Sequence, residues 1–336
     1  MKTYSVAILG ATGAVGQEML RVLEEREFPV GKLTLLAGQH SAGQTLLFRG
    51  QPVPVHRTQE AFFAGVDLVL GAVDGEMARH WLPAIRRAGA VFIDNSSAFR
   101  LDPMVPLVVP EVNGADVGSH VGVLANPNCT TIITLTAVYP LERLSPIRRL
   151  GISSYQAASG AGAAGLAELQ AQVAAVTKGE APQAQVFAHP LAYNVIPQIG
   201  EAQEAGYTSE EMKLHYEGRK ILHRPDFKAA CTCVRVPVLR SHSVSVRVSF
   251  DRPVSVAQAR EAIAGAPGCR LVDDLAGGQY PMPLDATGQD LVLVGRIRQD
   301  LTDPNSLLLW CCGDQLRKGA ATNAVQIAEL LVECRW

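Results

Sequence analysis

The chain has 336 residues, of which 48% are hydrophobic and 18% charged, with a formal net charge of −2. That length exceeds what one hydrophobic core usually organises, so two domains are expected, and the near-neutral balance gives no electrostatic footprint for nucleic acid and points to a small-molecule partner. The opening MKTYSVAILG carries too short an apolar run for a signal peptide and no later stretch approaches a membrane span, so the expectation is a cytoplasmic protein with no membrane partner.

In chain order, Tyr4 to Leu9 reads as a buried strand, GATGAVG follows, and Gln17 to Glu25 carries Met19, Leu20 and Leu23 at helical spacing. Gly10, Gly13 and Gly16 therefore occupy a strand-to-helix turn, where small residues let a pyrophosphate approach the backbone N–H groups of a helix N-terminus. Tight turns also use glycine without binding anything; the strand before and the helix after favour a nucleotide site. Further β-like runs begin at Leu33, Val66 and Ala90, between segments such as Glu76 to Ala88 that suit helices, which predicts a doubly wound parallel sheet.

NPNCTTIITL, from Asn126 to Leu135, starts a long apolar helix with Cys129 in its first turn, since Pro127 is tolerated only at a helix start. A strand near Leu150 to Gln156 comes next, and then ASGAGAAGLAELQAQVAAV, a glycine-rich turn entering an alanine-rich helix. From Cys231 the chain is strand-rich, with alternation in VSVRVSF and LVLVGRIR, before LRKGAATNAVQIAELL closes it as a helix. Strands followed by returning strands predict an antiparallel or mixed sheet in this second part. The seven cysteines are expected to be thiols, and neither Cys231 with Cys233 nor Cys311 with Cys312 has the spacing of a metal site.

Three residues carry candidate chemistry. At a helix N-terminus the partial positive charge favours a Cys129 thiolate, although on this stretch alone a buried inert cysteine is an equal reading. His242 enters VSVRVSF on the face of Val244, Val246, Val248 and Phe250, as a candidate base or a satisfied core histidine. Arg235 alternates with valines in TCVRVPV on the face of Cys231 and Cys233, and wants a bidentate carboxylate from a ligand or from an internal salt bridge.

Through GATGAVG, DNSSAFR, VPLVVPEVN, NPNCTTI, SSYQAASGAG, AHPLAYNVIPQI, GYTSEEMK, TCVRVPV with SHS, GRIRQDL and GDQLRKGAATNAVQIAE, the chain resembles the bacterial aspartate-semialdehyde dehydrogenases nearly end to end. The resemblance implies an N-terminal doubly wound Rossmann domain plus an α+β catalytic and dimerisation domain of the glyceraldehyde-3-phosphate dehydrogenase type. These would span residues 1–128, with a C-terminal helix at 315–336 packing back, and 129–314. It also implies a homodimer or a dimer of dimers, and a reversible NADP-dependent conversion of L-aspartate 4-semialdehyde and phosphate to 4-phospho-L-aspartate on the way to lysine, threonine and methionine. Matched by position, Cys129 becomes the acyl-thioester nucleophile, His242 the general base and Gln156 the residue that orients the acyl group. Arg235 and Glu211 would grip the substrate α-carboxylate and α-ammonium, and Arg100, Asn128 and Lys213 would form the phosphate pocket. The cofactor would lie on Gly10, Thr12, Gly13, Ala14, Val15, His40, Ser41, Ser159, Gly160 and Gln315.

The chain departs from this family where the 2′-phosphate of NADP binds. The usual A-S-x-R-S-A-G reads AGQHSAG from Ala37, so that Gly38 replaces a serine and His40 an arginine, and Asp74 in GAVDGEMA would bring a carboxylate near the cofactor. Those substitutions predict NADP with a weakened preference and leave room for NAD. Two other readings compete: N-acetyl-γ-glutamyl-phosphate reductase, which runs the same cysteine and histidine chemistry, and a catalytically silent dimeric paralogue.

Overall fold

The computed structural model describes residues 2–334. The chain divides into two compact units, one comprising the chain up to Asn128 together with its return from Ala320, the other running Cys129–Gly319.

In the first unit β1 (Tyr4–Leu9) leads through the glycine turn into α1 (Ala14–Glu25) and β2 (Val30–Ala37). A hairpin, β3 (Thr45–Phe48) and β4 (Gln51–Arg57), precedes β5 (Leu68–Gly71), α2 (Gly75–Arg87), β6 (Val91–Asp94), the short α3 (Pro110–Asn113) and β7 (Val123–Ala125). The strand order is β3-β4-β2-β1-β5-β6-β7, parallel throughout except for β3 against β4. This is the doubly wound arrangement read from the sequence, with an antiparallel strand added at one edge. That hairpin was not legible as strand because Pro52 and Pro54 interrupt it. Both prolines pair only towards β3, before the stretch at Val55 where β4 joins β2, so neither removes a hydrogen bond from the body of the sheet.

The sheet order reverses between β1 and β5, and there the glycines are needed for closeness. A Cβ on Gly10, whose φ is +89°, would lie 2.4 Å from the carbonyl oxygen of Ala72, and one on Gly16 would lie 2.2 Å from that of Gly10. The core of this unit joins Ile8, Met19, Leu35, Leu70 and Ile93 to Val325, Ile327 and Leu331 of the returning chain.

The second unit begins with α4 (Cys129–Glu142), followed by β8 (Ile147–Gln156), α5 (Gly162–Thr177), α6 (Ser209–Ile221), β9 (Lys228–Arg235) and β10 (His242–Phe250). Then come α7 (Val256–Ala264), β11 (Cys269–Leu271), α8 (Pro283–Ala286), β12 (Val292–Gln299) and β13 (Ser306–Gly313). The sheet is mixed, in the order β11-β12-β13-β10-β8-β9, with β8–β9 and β11–β12 parallel and the rest antiparallel. On one face α4 packs across β8, β10, β12 and β13, and it is apolar around most of its circumference because the sheet and α6 and α7 enclose it. The opposite face carries half-buried Ser153, Tyr155, Ser245, Arg247, Leu308 and Trp310.

The expected closing helix is shorter than LRKGAATNAVQIAELL suggests. Residues 317–321 form a π-helical turn, and the regular helix α9 runs Thr322–Glu333. Residues 315–319 belong with the second unit, where Gln315 and Asp314 are held by hydrogen bonds to β10 and its approach. The return to the first unit starts at Ala320, and Arg26 of α1 then meets Glu329 of α9 through two hydrogen bonds of 2.7 Å.

Candidate active site

In the second unit, the C-terminal ends of β8 and β9 and the start of β10 bring together Gln156, Arg235 and His242. Gln156 and Arg235 are register partners on the parallel pair β8–β9, and all three side chains are buried. Cys129 heads α4, half-buried and outside any disulfide. Gly319 lies against it, since a Cβ there would sit 3.0 Å from the Cβ of Cys129.

His242 is wholly buried, and its Nδ1 accepts the backbone N–H of Ala157 at 3.1 Å. A nitrogen that accepts such a bond carries no proton, so the neutral ring holds its proton on Nε2. Nε2 is buried and has no hydrogen-bond partner. Burial first, and the positive charge of Arg235 second, push the imidazole pKa down to about 3, with Glu210 acting in the opposite direction. In this arrangement the free ring nitrogen of His242, the expected general base, is a donor, and the ring takes up a proton by giving up the Ala157 contact.

The Arg235 guanidinium donates from Nη1 to the Ala157 carbonyl at 2.7 Å and lies over the ring of Phe187. No carboxylate pairs with it among the described residues, which removes the internal salt bridge as its explanation. Burial lowers the guanidinium pKa, while the charges of Cys129, Glu210 and Cys233 act to raise it. An arginine this buried with donors to spare is suited to an anionic ligand.

Gly160 lies where these groups converge. A Cβ on it would stand 2.5 Å from Nη1 of Arg235, 3.1 Å from Cε1 of His242 and 3.3 Å from Nε2. Its neighbour Ser159 accepts from Nε2 of Gln315, whose Oε1 in turn accepts the backbone N–H of Ser241 at 2.8 Å. Ser159, Gly160 and Gln315, three of the expected cofactor residues, are thus grouped beside His242.

Glu211, the acid expected to face a substrate amine, and its neighbour Glu210 have different surroundings. Glu211 is the third residue of α6 in a capping box with Thr208, accepting the Thr208 N–H at 2.8 Å, and its other oxygen accepts the Cys233 N–H at 3.0 Å. That carboxylate is committed to the fold. Glu210 is the one on the Gln156 side: its Oε1 accepts from Gln156 at 3.2 Å and its Oε2 pairs with Lys213 at 2.7 Å. Sequence could have separated the two, because T-x-x-E is a capping signature and Glu210 with Lys213 has the i,i+3 spacing of a helical ion pair. Thr130 was also missed; its hydroxyl accepts from Gln156 at 3.1 Å.

The first unit holds the remaining expected residues. Arg100 is buried and donates from Nε to the Asn126 carbonyl at 2.9 Å and from Nη2 to that of Asn95 at 2.8 Å. Asn128, also buried, ends this unit. Thr12, Gly13, Ala14 and Val15 form the turn into α1, whose start has no side-chain cap and no acid in its first turn, so its N–H groups suit a pyrophosphate. Gln17 holds the loop by donating to the Thr12 carbonyl at 2.8 Å. His40 and Ser41 lie in a single 3₁₀ turn after β2. Asp74, expected to bring a charge to the cofactor, caps α2, with Oδ1 accepting the Met77 N–H at 2.9 Å. These features fit a dinucleotide. Among the described residues no group of three or more His, Cys, Asp or Glu side chains could hold a metal ion, and no helix is long and apolar enough to cross a membrane.

Residues 5–120 match the family described as semialdehyde dehydrogenase, NAD binding domain, and residues 138–318 the family described as semialdehyde dehydrogenase, dimerisation domain. The chain is 53% identical to an aspartate-semialdehyde dehydrogenase of Synechocystis over 98% of each chain. It is 48% identical to that of Prochlorococcus marinus, over 98% of this chain and 96% of the relative. Among solved structures it is similar to aspartate semialdehyde dehydrogenase II of Vibrio cholerae complexed with ASA, at 42% identity and a TM-score of 0.98 over the whole of both chains.

Proposed function

The chain belongs to the aspartate-semialdehyde dehydrogenase family, and on that premise we propose that it converts L-aspartate 4-semialdehyde and phosphate reversibly to 4-phospho-L-aspartate, with Cys129 as the covalent nucleophile and NADP as the redox partner. The observation that carries this reading is the unpaired, buried Arg235 guanidinium beside the unsatisfied Nε2–H of His242 in the unit that Cys129 opens.

In the oxidative direction the Cys129 thiolate is stabilised by the start of α4 and by the charge of Arg235. Its sulfur bonds to the aldehyde carbon as the carbonyl π pair moves to oxygen, and Nε2–H of His242 donates to that oxygen. When bound, the nicotinamide supplies the acceptor for the hydride that leaves carbon. Loss of hydride restores the carbonyl as a thioester on Cys129, and a phosphate oxygen then attacks it and expels the thiolate. His242 needs no change of protonation in this sequence, which agrees with its depressed pKa.

Arg235 serves the substrate α-carboxylate, and Glu210 the α-ammonium through the carboxylate it shares with Lys213. An acid in that place favours a free amine over an N-acetylated substrate. Gln156, tied to Thr130, Ser154 and Glu210, holds the acyl group in position. Arg100, Asn128 and Lys213 serve the phosphate. The uncovered sheet face around Tyr155, Arg247 and Trp310 is the surface for a homodimer, supported by the dimerisation-domain match. Seven cysteines, none of them in a disulfide, suit a reducing cytoplasm.

The test is nicotinamide reduction by purified protein with the semialdehyde, in the presence and absence of phosphate, for the wild type and Cys129→Ser. Phosphate-dependent reduction that Cys129→Ser abolishes is expected. A folded wild type with a reactive Cys129 and no phosphate-dependent turnover would overturn the proposal.

A further inference from the structure

A cavity of about 340 Å³ opens in the first unit at the carboxyl ends of three parallel strands: β1 through Leu9 and Gly10, β2 through Ala37 and Gly38, and β4 through Arg57 and Thr58. Ligands of open α/β sheets bind in such crevices, and the end of the second strand is where dinucleotide enzymes read the 2′ position of the adenosine ribose.

The cavity lining contains a single ionised side chain, Arg57. Its place is set by the sheet. Arg57 is the register partner of Ala37 on the β2–β4 pair, and the next residue, Thr58, donates from both its backbone N–H and its hydroxyl to the Ala37 carbonyl, at 2.9 and 3.1 Å. The guanidinium therefore begins directly beside the last residue of β2.

Nothing in the unit neutralises Arg57. Among the described residues its side chain has no hydrogen bond or ion pair, while the nearest acid in sequence, Glu60, is taken by Arg87 at 2.8 Å. Gly38 offers no carboxylate for a ribose diol, and a Cβ there would meet nothing within 4 Å, so the space beside Arg57 is open. Asp74 caps α2 through the Met77 N–H and is not in the cavity wall. His40, which stands where the family has an arginine, is absent from the cavity wall.

We infer that Arg57 is the specificity-determining residue of the dinucleotide site, pairing with the 2′-phosphate of NADP and restoring from β4 the cation that the turn after β2 has lost. The inference rests on the dinucleotide reading given above and deepens it. A guanidinium with all its donors available meets a phosphate through charge-assisted hydrogen bonds, whereas a ribose 2′-hydroxyl gains little from it.

The test is direct binding, by titration calorimetry, of NADP⁺ and NAD⁺ to the wild type, Arg57→Gln and His40→Ala. Wild type should bind NADP⁺ more tightly. Arg57→Gln should weaken NADP⁺ by roughly 10- to 100-fold and leave NAD⁺ within about 2-fold, the loss expected for one charge-assisted contact, and NADP⁺ binding should become less sensitive to salt. His40→Ala should change both little. Unchanged NADP⁺ affinity in Arg57→Gln, or the loss appearing in His40→Ala instead, overturns the inference while the dinucleotide site stands. A folded wild type that binds neither dinucleotide overturns the underlying reading and this one with it.

Discussion

The backbone N–H of Ala157 donates to Nδ1 of His242 at 3.1 Å, and the carbonyl of the same Ala157 accepts from Nη1 of Arg235 at 2.7 Å. One residue just past the end of β8 thus sets the tautomer of the histidine and the direction of the arginine. On the proposed reading, in which His242 works as a neutral donor, the pH profile of kcat/KM should show no limb from its protonation between about pH 5 and 8. His242→Gln, which keeps a donor, should retain at least about 10-fold more activity than His242→Ala, whose loss should approach the 100- to 1,000-fold typical of a missing oxyanion donor. Equal losses in both variants, with an acid limb near the ordinary imidazole pKa in the wild type, would restore the general base.

The same burial has a consequence for stability. With a folded pKa of about 3 against roughly 6.5 in the unfolded chain, the unfolded state binds a proton between these values that the folded state does not. The contribution of His242 is therefore fully present above about pH 6.5 and is lost as pH falls towards 3, at up to about 1.4 kcal/mol per pH unit. Denaturant melts of His242→Gln should show a correspondingly shallower decline across that window than the wild type. Parallel curves would mean that the ring is not buried neutral.

Glu210 and Glu211 should separate cleanly. Glu211→Gln removes a carboxylate that accepts the N–H groups of Thr208 and Cys233, and should cost about 1–2 kcal/mol in denaturant melts. Glu210→Gln should instead raise KM for the semialdehyde by roughly 10-fold or more, with a smaller change in stability. The reverse pattern would return the amine-binding role to Glu211.

Gly160→Ala should lower kcat/KM by about 100-fold in a protein that still folds, because the added methyl falls on the Arg235 guanidinium and near the His242 ring. Circular dichroism and melting temperature check the fold. Retained activity would show that the two side chains can move aside without loss.

Thiol alkylation at neutral pH should label Cys129 and the exposed Cys334 and spare the buried Cys231, Cys311 and Cys312. Burial drives the Cys311 thiol well up and pushes Cys312 up to about 12, and the Cys233 thiol beside it together with burial raises Cys231. Substrate should protect Cys129 and leave Cys334 unprotected. Labelling of Cys311 or Cys312 ahead of Cys129 would contradict this ordering.

Local chemistry is legible in the amino-acid sequence. The glycine turn after Leu9, the apolar helix that starts at Cys129 and the alternation from His242 to Phe250 each depend on residues close in the chain, and all three stand in the structure where periodicity and turn residues put them. What those residues face depends on the folded arrangement. Adjacent glutamates on a helix point about 100° apart, so the choice between Glu210 and Glu211 depended on α6 packing against β9. The proton of His242 was assigned by a peptide 85 residues away in sequence. Arg57 carries no motif, and it acquires a place in the nucleotide cavity only because β4 pairs in parallel with β2 and brings it beside Ala37. Short-range patterns fix elements because their cause is local; protonation, partner choice and charge at a site are set by groups that only the fold makes neighbours.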